Sequence, residues 1–256
     1  MKKFGICHLS FFPLRKEANH RSENVSQVLF GEVFEILEEK YAEWFFVKLA
    51  FDGYLGWINT NELQYLSEKE FKKVNNEKKH YSSEAIAIGD SNERILHLGF
   101  GSYLPLWNGK NFYIGAKEFS LRGELLKADK NNKNLLESIA YKLLEIPYLW
   151  GGKSSFGFDC SGFTQSLFKI ANINLPRDAS QQAKIGKEIN IEEAKVFDLA
   201  FFEENQKITH VGILLKDKKI IHASASVRID DFDEKGIFNS QLKKYTHHLK
   251  LIKRIF

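Results

Sequence analysis

The sequence predicts an α+β protein whose first half is all-β and whose last half mixes helix with sheet. Three observations carry this. Short runs rich in Val, Ile, Phe and Trp, separated by turn residues, fill the chain to about residue 126. Apolar residues then recur at helical spacing from Leu135 to Leu144. Beyond them one cysteine stands where a loop becomes a helix, and two histidines sit in neighbouring strand-like runs.

Taken in order, the runs at 25–30, 33–37, 44–49 and 55–58 alternate with turn residues at Gly31, Asp52 and Gly53, the spacing of a small barrel. The first domain is expected over 1–66. The polar stretch 72–79 breaks the pattern and reads as a linker. A second, smaller β unit is expected over 80–126, with strands at 85–88, 95–98 and 112–114 and a hairpin turn at Asn108-Gly109. After a short linker at 129–133, Leu135, Leu136, Ile139, Ala140, Leu143 and Leu144 line one face of a helix that Pro147 ends, opening a third domain over 127–256.

Composition bounds the function. With 256 residues, 43% of them hydrophobic, the chain can bury the cores of two or three domains, which excludes disorder. A net charge of +4, with Lys dispersed among Glu and Asp, gives no basic face for nucleic acid or an anionic membrane. No run approaches the roughly 18 to 20 apolar residues of a membrane span. Met1-Lys2-Lys3 and the apolar residues after it faintly mimic a signal peptide, but His8 and Ser10 break the run, so a first strand and a cytoplasmic location are expected. The two cysteines, Cys7 and Cys160, make no disulfide framework. Cys7 reads as a core residue. No C-x-x-C or H-x-x-x-H pair is present, so no metal and no cofactor is expected.

Asp159-Cys160-Ser161-Gly162 places a thiol in the first turn of a helix whose apolar stripe is Phe163, Leu167 and Ile170. Unpaired N–H groups and the helix dipole there favour a thiolate. His210, in Ile-Thr-His-Val-Gly-Ile, and His222, in Ile-Ile-His-Ala-Ser, flank a polar turn at Lys216-Asp217-Lys218-Lys219, so a hairpin brings the imidazoles together. One histidine can then be base to Cys160 and the other can fix its tautomer. A regular two-residue turn would put the rings on opposite faces. An odd loop or a bulge between Val211 and Ile221 is therefore predicted, with both rings on the face turned toward Cys160.

Residues from about 127 onward resemble the NlpC-type family of papain-like cysteine peptidases. The matching blocks are Tyr148-Leu149-Trp150-Gly151-Gly152, Asp159-Cys160-Ser161-Gly162, Leu175-Pro176-Arg177-Asp178, Asp198-Leu199, Thr209-His210-Val211-Gly212-Ile213 and Ile221-His222-Ala223-Ser224. The pieces Pro13-Leu14-Arg15, the run from Val25 to Glu32 and Asp52-Gly53-Tyr54-Leu55-Gly56-Trp57-Ile58 look like a bacterial SH3-like domain. The fold so implied is a papain-like peptidase domain preceded by two small SH3-like barrels. Three positions depart from the family pattern: Phe197 and Ala225 stand where glycine is usual, and Ala179 where a hydroxyl is common.

The resemblance implies Cys160 as nucleophile, His210 as base and His222 as orienting residue, with Tyr148 near the oxyanion site. Asp159 and Ser161, beside the thiol, are read as substrate-binding. By its spacing to Gln181, Asp178 reads as a helix N-cap; the resemblance makes it the holder of the substrate's free L-alanine amine. Glu23 and Tyr54 or Trp57 are candidates for the wall that closes the cleft, although the aromatics serve equally as barrel packing and Glu23 as a solvated loop residue.

The implied activity is hydrolysis of the γ-D-glutamyl–diamino acid bond in free peptidoglycan peptides with N-terminal L-Ala, in cell-wall recycling. The partner is that small peptide, with no obligate protein partner. The rival readings are a secreted lysin acting on intact wall, a non-catalytic wall-peptide module, and a papain-like transferase or deamidase.

Overall fold

Alternating apolar and polar residues build the first domain, which the computed structural model describes within residues 2–41, 43–61 and 63–256; Met1, where the expected first domain begins, lies outside the described residues. Seven strands lie side by side in the order Asn24–Leu29, Phe11–Arg15, Leu55–Asn59, Trp44–Leu49, Val33–Lys40, Lys3–Ile6 and Gln64–Leu66. Their inward residues Phe12, Leu14, Val28, Phe34, Val47 and Ile58 form one buried cluster with Cys7, as expected. Each such side chain contributes about 1.5 to 3 kcal/mol on burial.

The expected linker is largely a helix, Glu68–Asn76. Ser67 and Glu70 cap it reciprocally, Phe71 stacks on Phe4 with ring centroids 4.2 Å apart, and Val74 is buried. The charged run is the wet face of an amphipathic helix, a pattern masked by its lysines.

The middle unit is a four-stranded sheet, ordered Arg94–Gly99, Ile86–Ser91, Lys117–Arg122 and Asn111–Ile114, beside a ribbon of His80–Ser82 with Leu125–Lys127. Asn108-Gly109 does not join a hairpin, because the strands before and after it lie at opposite edges of the sheet. Asn108 Oδ1 instead accepts from the N–H groups of Lys110 and Asn111, a local turn that leads into the next strand.

In the last domain, helices Lys133–Lys142 and Cys160–Ile170 precede a sheet of Lys187–Ile189, Lys244–Arg254, Leu199–Glu204, Lys207–Leu214, Lys219–Ser224, Ser226–Asp233 and Gly236–Asn239. Pairing of Gly236–Asn239 back onto Lys244–Arg254 closes six of these strands into a barrel. Outside, Phe201, Val211, Ile213 and Ile221 share a core with Phe163 and Leu167 of the cysteine helix. Inside lie Phe202, Leu214, Ile220, Phe232 and Ile237.

The first domain docks on the last through buried polar groups. Glu32 receives Lys153 at 3.0 Å and Lys169 at 2.7 Å, both ammoniums buried. Gln27 accepts from the Lys153 N–H, Asp52 from the Gln165 amide, and Ser26 from Arg177.

Candidate active site

Cys160 begins its helix because Asp159 caps it, accepting from the Gly162 N–H at 2.7 Å. Arg177, fully buried, clamps the same carboxylate at 2.6 and 3.0 Å and also donates to Ser161 Oγ at 3.0 Å. The other Asp159 oxygen takes the Gly151 N–H at 2.9 Å, tying the Tyr148–Gly152 loop to the helix. Gly162 is required by a close approach: a Cβ there would stand 2.0 Å from the Gly152 carbonyl. Asp159 and Ser161 are therefore engaged by this framework, which corrects their predicted role as substrate contacts. A carboxylate already accepting two backbone N–H groups and a guanidinium is not free for a ligand.

The hairpin has the predicted odd loop. Ile221 pairs with Ile213, and Leu215 meets Lys219 across the three residues between them, with Asp217 and Lys218 at φ +56 and +53. His222 consequently faces Gly212, where an added Cβ would lie 3.0 Å from the His222 Cβ. His210 Nε2 and His222 Nδ1 are 2.8 Å apart, and the rings cross edge to face.

The shared face differs from the expectation. His210 pairs with Phe202 and His222 alternates with Ile220, so both rings sit on the inner face of the barrel, opposite the face on which the Cys160 helix packs. The ladder between the two histidine strands is confined to Ile213–Ile221 and Leu214–Ile220. The strands part beyond it, and the thiol sits at this seam against the N–H groups of Val211 and Ser161. Val211 is the residue after His210.

Burial overrides the helix end. It pushes the Cys160 thiol up to about 12, and Asp159 adds to the rise, while the Val211 N–H, Arg177 and the Ser161 N–H pull the other way. Desolvation thus opposes the effect expected of the helix end. Burial also holds His210 well below the usual imidazole range, with His222 and His247 adding to the effect. Burial thus disfavours the charged form of both groups.

Tyr148 is half-buried, and its phenol is raised first by burial and then by Cys160, which places its charge environment at the thiol. Tyr54, from the first domain, donates its hydroxyl to Asp178 at 3.1 Å. Asp178 is the N-cap residue of Ala179–Gln182 as expected, but its side chain makes no capping bond, and burial raises its carboxyl against the pull of Tyr54 and Arg177. Glu23 accepts from the Trp150 indole at 2.9 Å and is thereby held to the cysteine domain. Trp57 packs on Phe46 with centroids 5.2 Å apart, the barrel-packing alternative of the sequence reading.

Three residues escaped the sequence reading. His247 stacks on His210 with centroids 4.1 Å apart and is held down to about 4 by burial. Asp230 lies 3.0 Å from His222 Nε2. Trp150 stands 61% exposed at the cleft rim beside Glu23. Trp150 stands in the matched block at 148–152 without an assigned role, and Arg228 and Asp230 alternate on the strand that follows His222.

The fold and the site define a cysteine peptidase. Residues 145–247 match the model of the NlpC/P60 family, and residues 14–63 match the bacterial dipeptidyl-peptidase SH3 domain. Among curated relatives, a γ-D-glutamyl-L-lysine dipeptidyl-peptidase of Bacillus subtilis is 31% identical over 218 residues, covering 77% of this chain and 71% of the relative. A Bacillus cereus protein of the same name is 26% identical, covering 79% and 68%. The crystal structure of an NlpC/P60 family protein from Bacillus cereus shares the fold along 99% of both chains, with a TM-score of 0.80 at 21% identity. The chain belongs to the NlpC/P60 family and carries a bacterial SH3 domain ahead of its peptidase domain.

Proposed function

We propose that this peptidase hydrolyses the γ-D-glutamyl–diamino acid bond of free peptidoglycan peptides bearing an N-terminal L-Ala, as a recycling enzyme of the cytoplasm. Its relatives' names support the bond, and one observation carries the restriction to free peptides: the SH3 domain reaches across the cleft, Tyr54 to Asp178 and Glu23 to Trp150. A cleft closed at that end by carboxylates favours a short peptide with a free amine. On the other side of His210 a cavity of about 550 Å³, lined by Tyr148, Thr209, Ser224 and His248, receives the leaving diamino acid. The middle unit serves as a second SH3-like module.

In this reading Cys160, His210 and His222 act as a triad. His210 Nδ1, the ring nitrogen not turned to His222, takes the thiol proton as sulfur attacks the γ-glutamyl carbonyl. The Cys160 N–H in the first helical turn, with Tyr148, meets the oxyanion. His210 then protonates the leaving amine, and water hydrolyses the acyl-enzyme.

The test is mass spectrometry of products from L-Ala-γ-D-Glu-L-Lys, its diaminopimelate counterpart and intact sacculi. Cleavage after γ-D-Glu in the free peptides is expected, with intact sacculi left uncut. Comparable release from sacculi would favour a lysin instead.

A further inference from the structure

The strand after His222 carries a carboxylate at the end of the histidine pair. His222 lies opposite Arg228 across a hairpin turning at Ala225, and Asp230, two residues on, shares their face. Its Oδ2 stands 3.0 Å from His222 Nε2, whose other nitrogen stands 2.8 Å from His210 Nε2. Arg228 pairs with the carboxylate, Nη2 donating to Oδ1 at 2.9 Å while Nε lies 2.8 Å from Oδ2 as an ion-pair contact. Burial opposes ionisation of Asp230, but the bonds from His222 and Arg228 outweigh it and hold the group below the ordinary carboxylate range. Ionised, it can only accept.

A one-way acceptor at one end fixes every proton in the row. His222 must carry its proton on Nε2 to meet Asp230, which leaves its Nδ1 bare. His210 must then carry its proton on Nε2, and its own Nδ1 is left bare as well. The charged or titratable neighbours are Arg228 from the same strand and His247 and His248 from Lys244–Arg254, with His247 held neutral near pH 7 by burial.

We infer that Asp230 is a positioning residue of the reaction: acting through His222, it holds His210 in the one neutral tautomer that can accept the Cys160 proton. This rests on His210 being the base proposed above. The thiol proton passes from Sγ to His210 Nδ1, and no proton moves among His210, His222 and Asp230. The carboxylate then faces an imidazolium through one ring, which it stabilises.

Long-range ¹H–¹⁵N spectra of the histidines test this on the unmodified protein, with assignments from His210→Gln and His222→Gln. Both rings are expected as Nε2–H tautomers. In Asp230→Asn, Arg228 takes the amide oxygen and turns the NH₂ toward His222, whose Nε2 must now accept. His222 should shift to Nδ1–H, and kcat on L-Ala-γ-D-Glu-L-Lys should fall about 10- to 100-fold with KM little changed. A wild-type His222 protonated on Nδ1 overturns the inference whether or not the variant folds. So does a folded Asp230→Asn with kcat within about twofold of wild type and unchanged tautomers. Turnover retained by His210→Ala would instead sink the base assignment, whatever the spectra show.

Discussion

The seam at Cys160 and the rim at Tyr54 are built from opposite materials. The seam lies inside one domain, set by a capped helix, a hairpin register and near-complete burial of thiol and imidazoles. The rim is made by side chains reaching across a domain boundary, the hydroxyl of half-buried Tyr54 to Asp178 and the carboxylate of exposed Glu23 to Trp150. Bond-making chemistry here depends on backbone geometry that one substitution can abolish. In the proposed function, selectivity rests on a few surface pairs, each of modest energy, that can be altered without touching the reaction.

The largest effect should come from the seam. Cys160→Ala is expected to lower turnover by at least about 10⁴-fold while the thermal melt stays near wild type. Iodoacetamide should mark Cys160 well before Cys7, which is more deeply buried and whose thiol is pushed further up by desolvation. Equal labelling of the two would erase the distinction drawn for the seam.

Next comes the base of the domain junction, where Glu32 faces Lys153 and Lys169. Glu32→Gln leaves two buried ammoniums without their counter-charge and should cost about 3 to 5 kcal/mol, read by denaturant unfolding. The Glu32 carboxyl is lowered from 4.5 to about 2: burial opposes this, and the two lysines outweigh it. Its contribution is therefore fully present above pH 4.5 and is lost as pH falls toward 2. A variant with an unchanged acid-unfolding profile would show that the junction is not held by this group.

At the rim the effect is smaller. Acetylating the substrate's amine should remove a charge-assisted contact of about 1.5 to 3 kcal/mol, roughly ten- to a hundredfold in kcat/KM. Asp178→Asn should reproduce that loss on the free peptide and remove the discrimination. Equal rates on free and acetylated peptides would mean that the rim does not select.

The smallest effect concerns Ala225, at φ +62 where the family pattern has glycine. Ala225→Gly should relieve left-handed strain and raise stability by up to about 1 kcal/mol, with kcat within about twofold. Phe197, the other departure from glycine, has the same backbone hand at φ +72.

Much of the site was legible because it is local. The loop-to-helix position of Cys160, the two histidine strands and the need for an odd loop all follow from residue spacing and from the alternation of strand side chains. The helix Glu68–Asn76 was missed because its charged face outweighs Phe71 and Val74, and the false hairpin at Asn108-Gly109 arose because a turn signal does not say which strands will pair.

The sequence by itself determined the order of an all-β region before a mixed one, the helix-start position of Cys160 and the register that lets His210 and His222 meet. Only the tertiary structure decided which face they occupy, that burial raises the thiol, that Asp159 belongs to Arg177, and that Asp230, His247 and Trp150 join the site. Periodicity fixes which side of an element a residue takes. Burial and partners come from chain segments distant in sequence, and these set a group's charge and which of its atoms stay free for substrate.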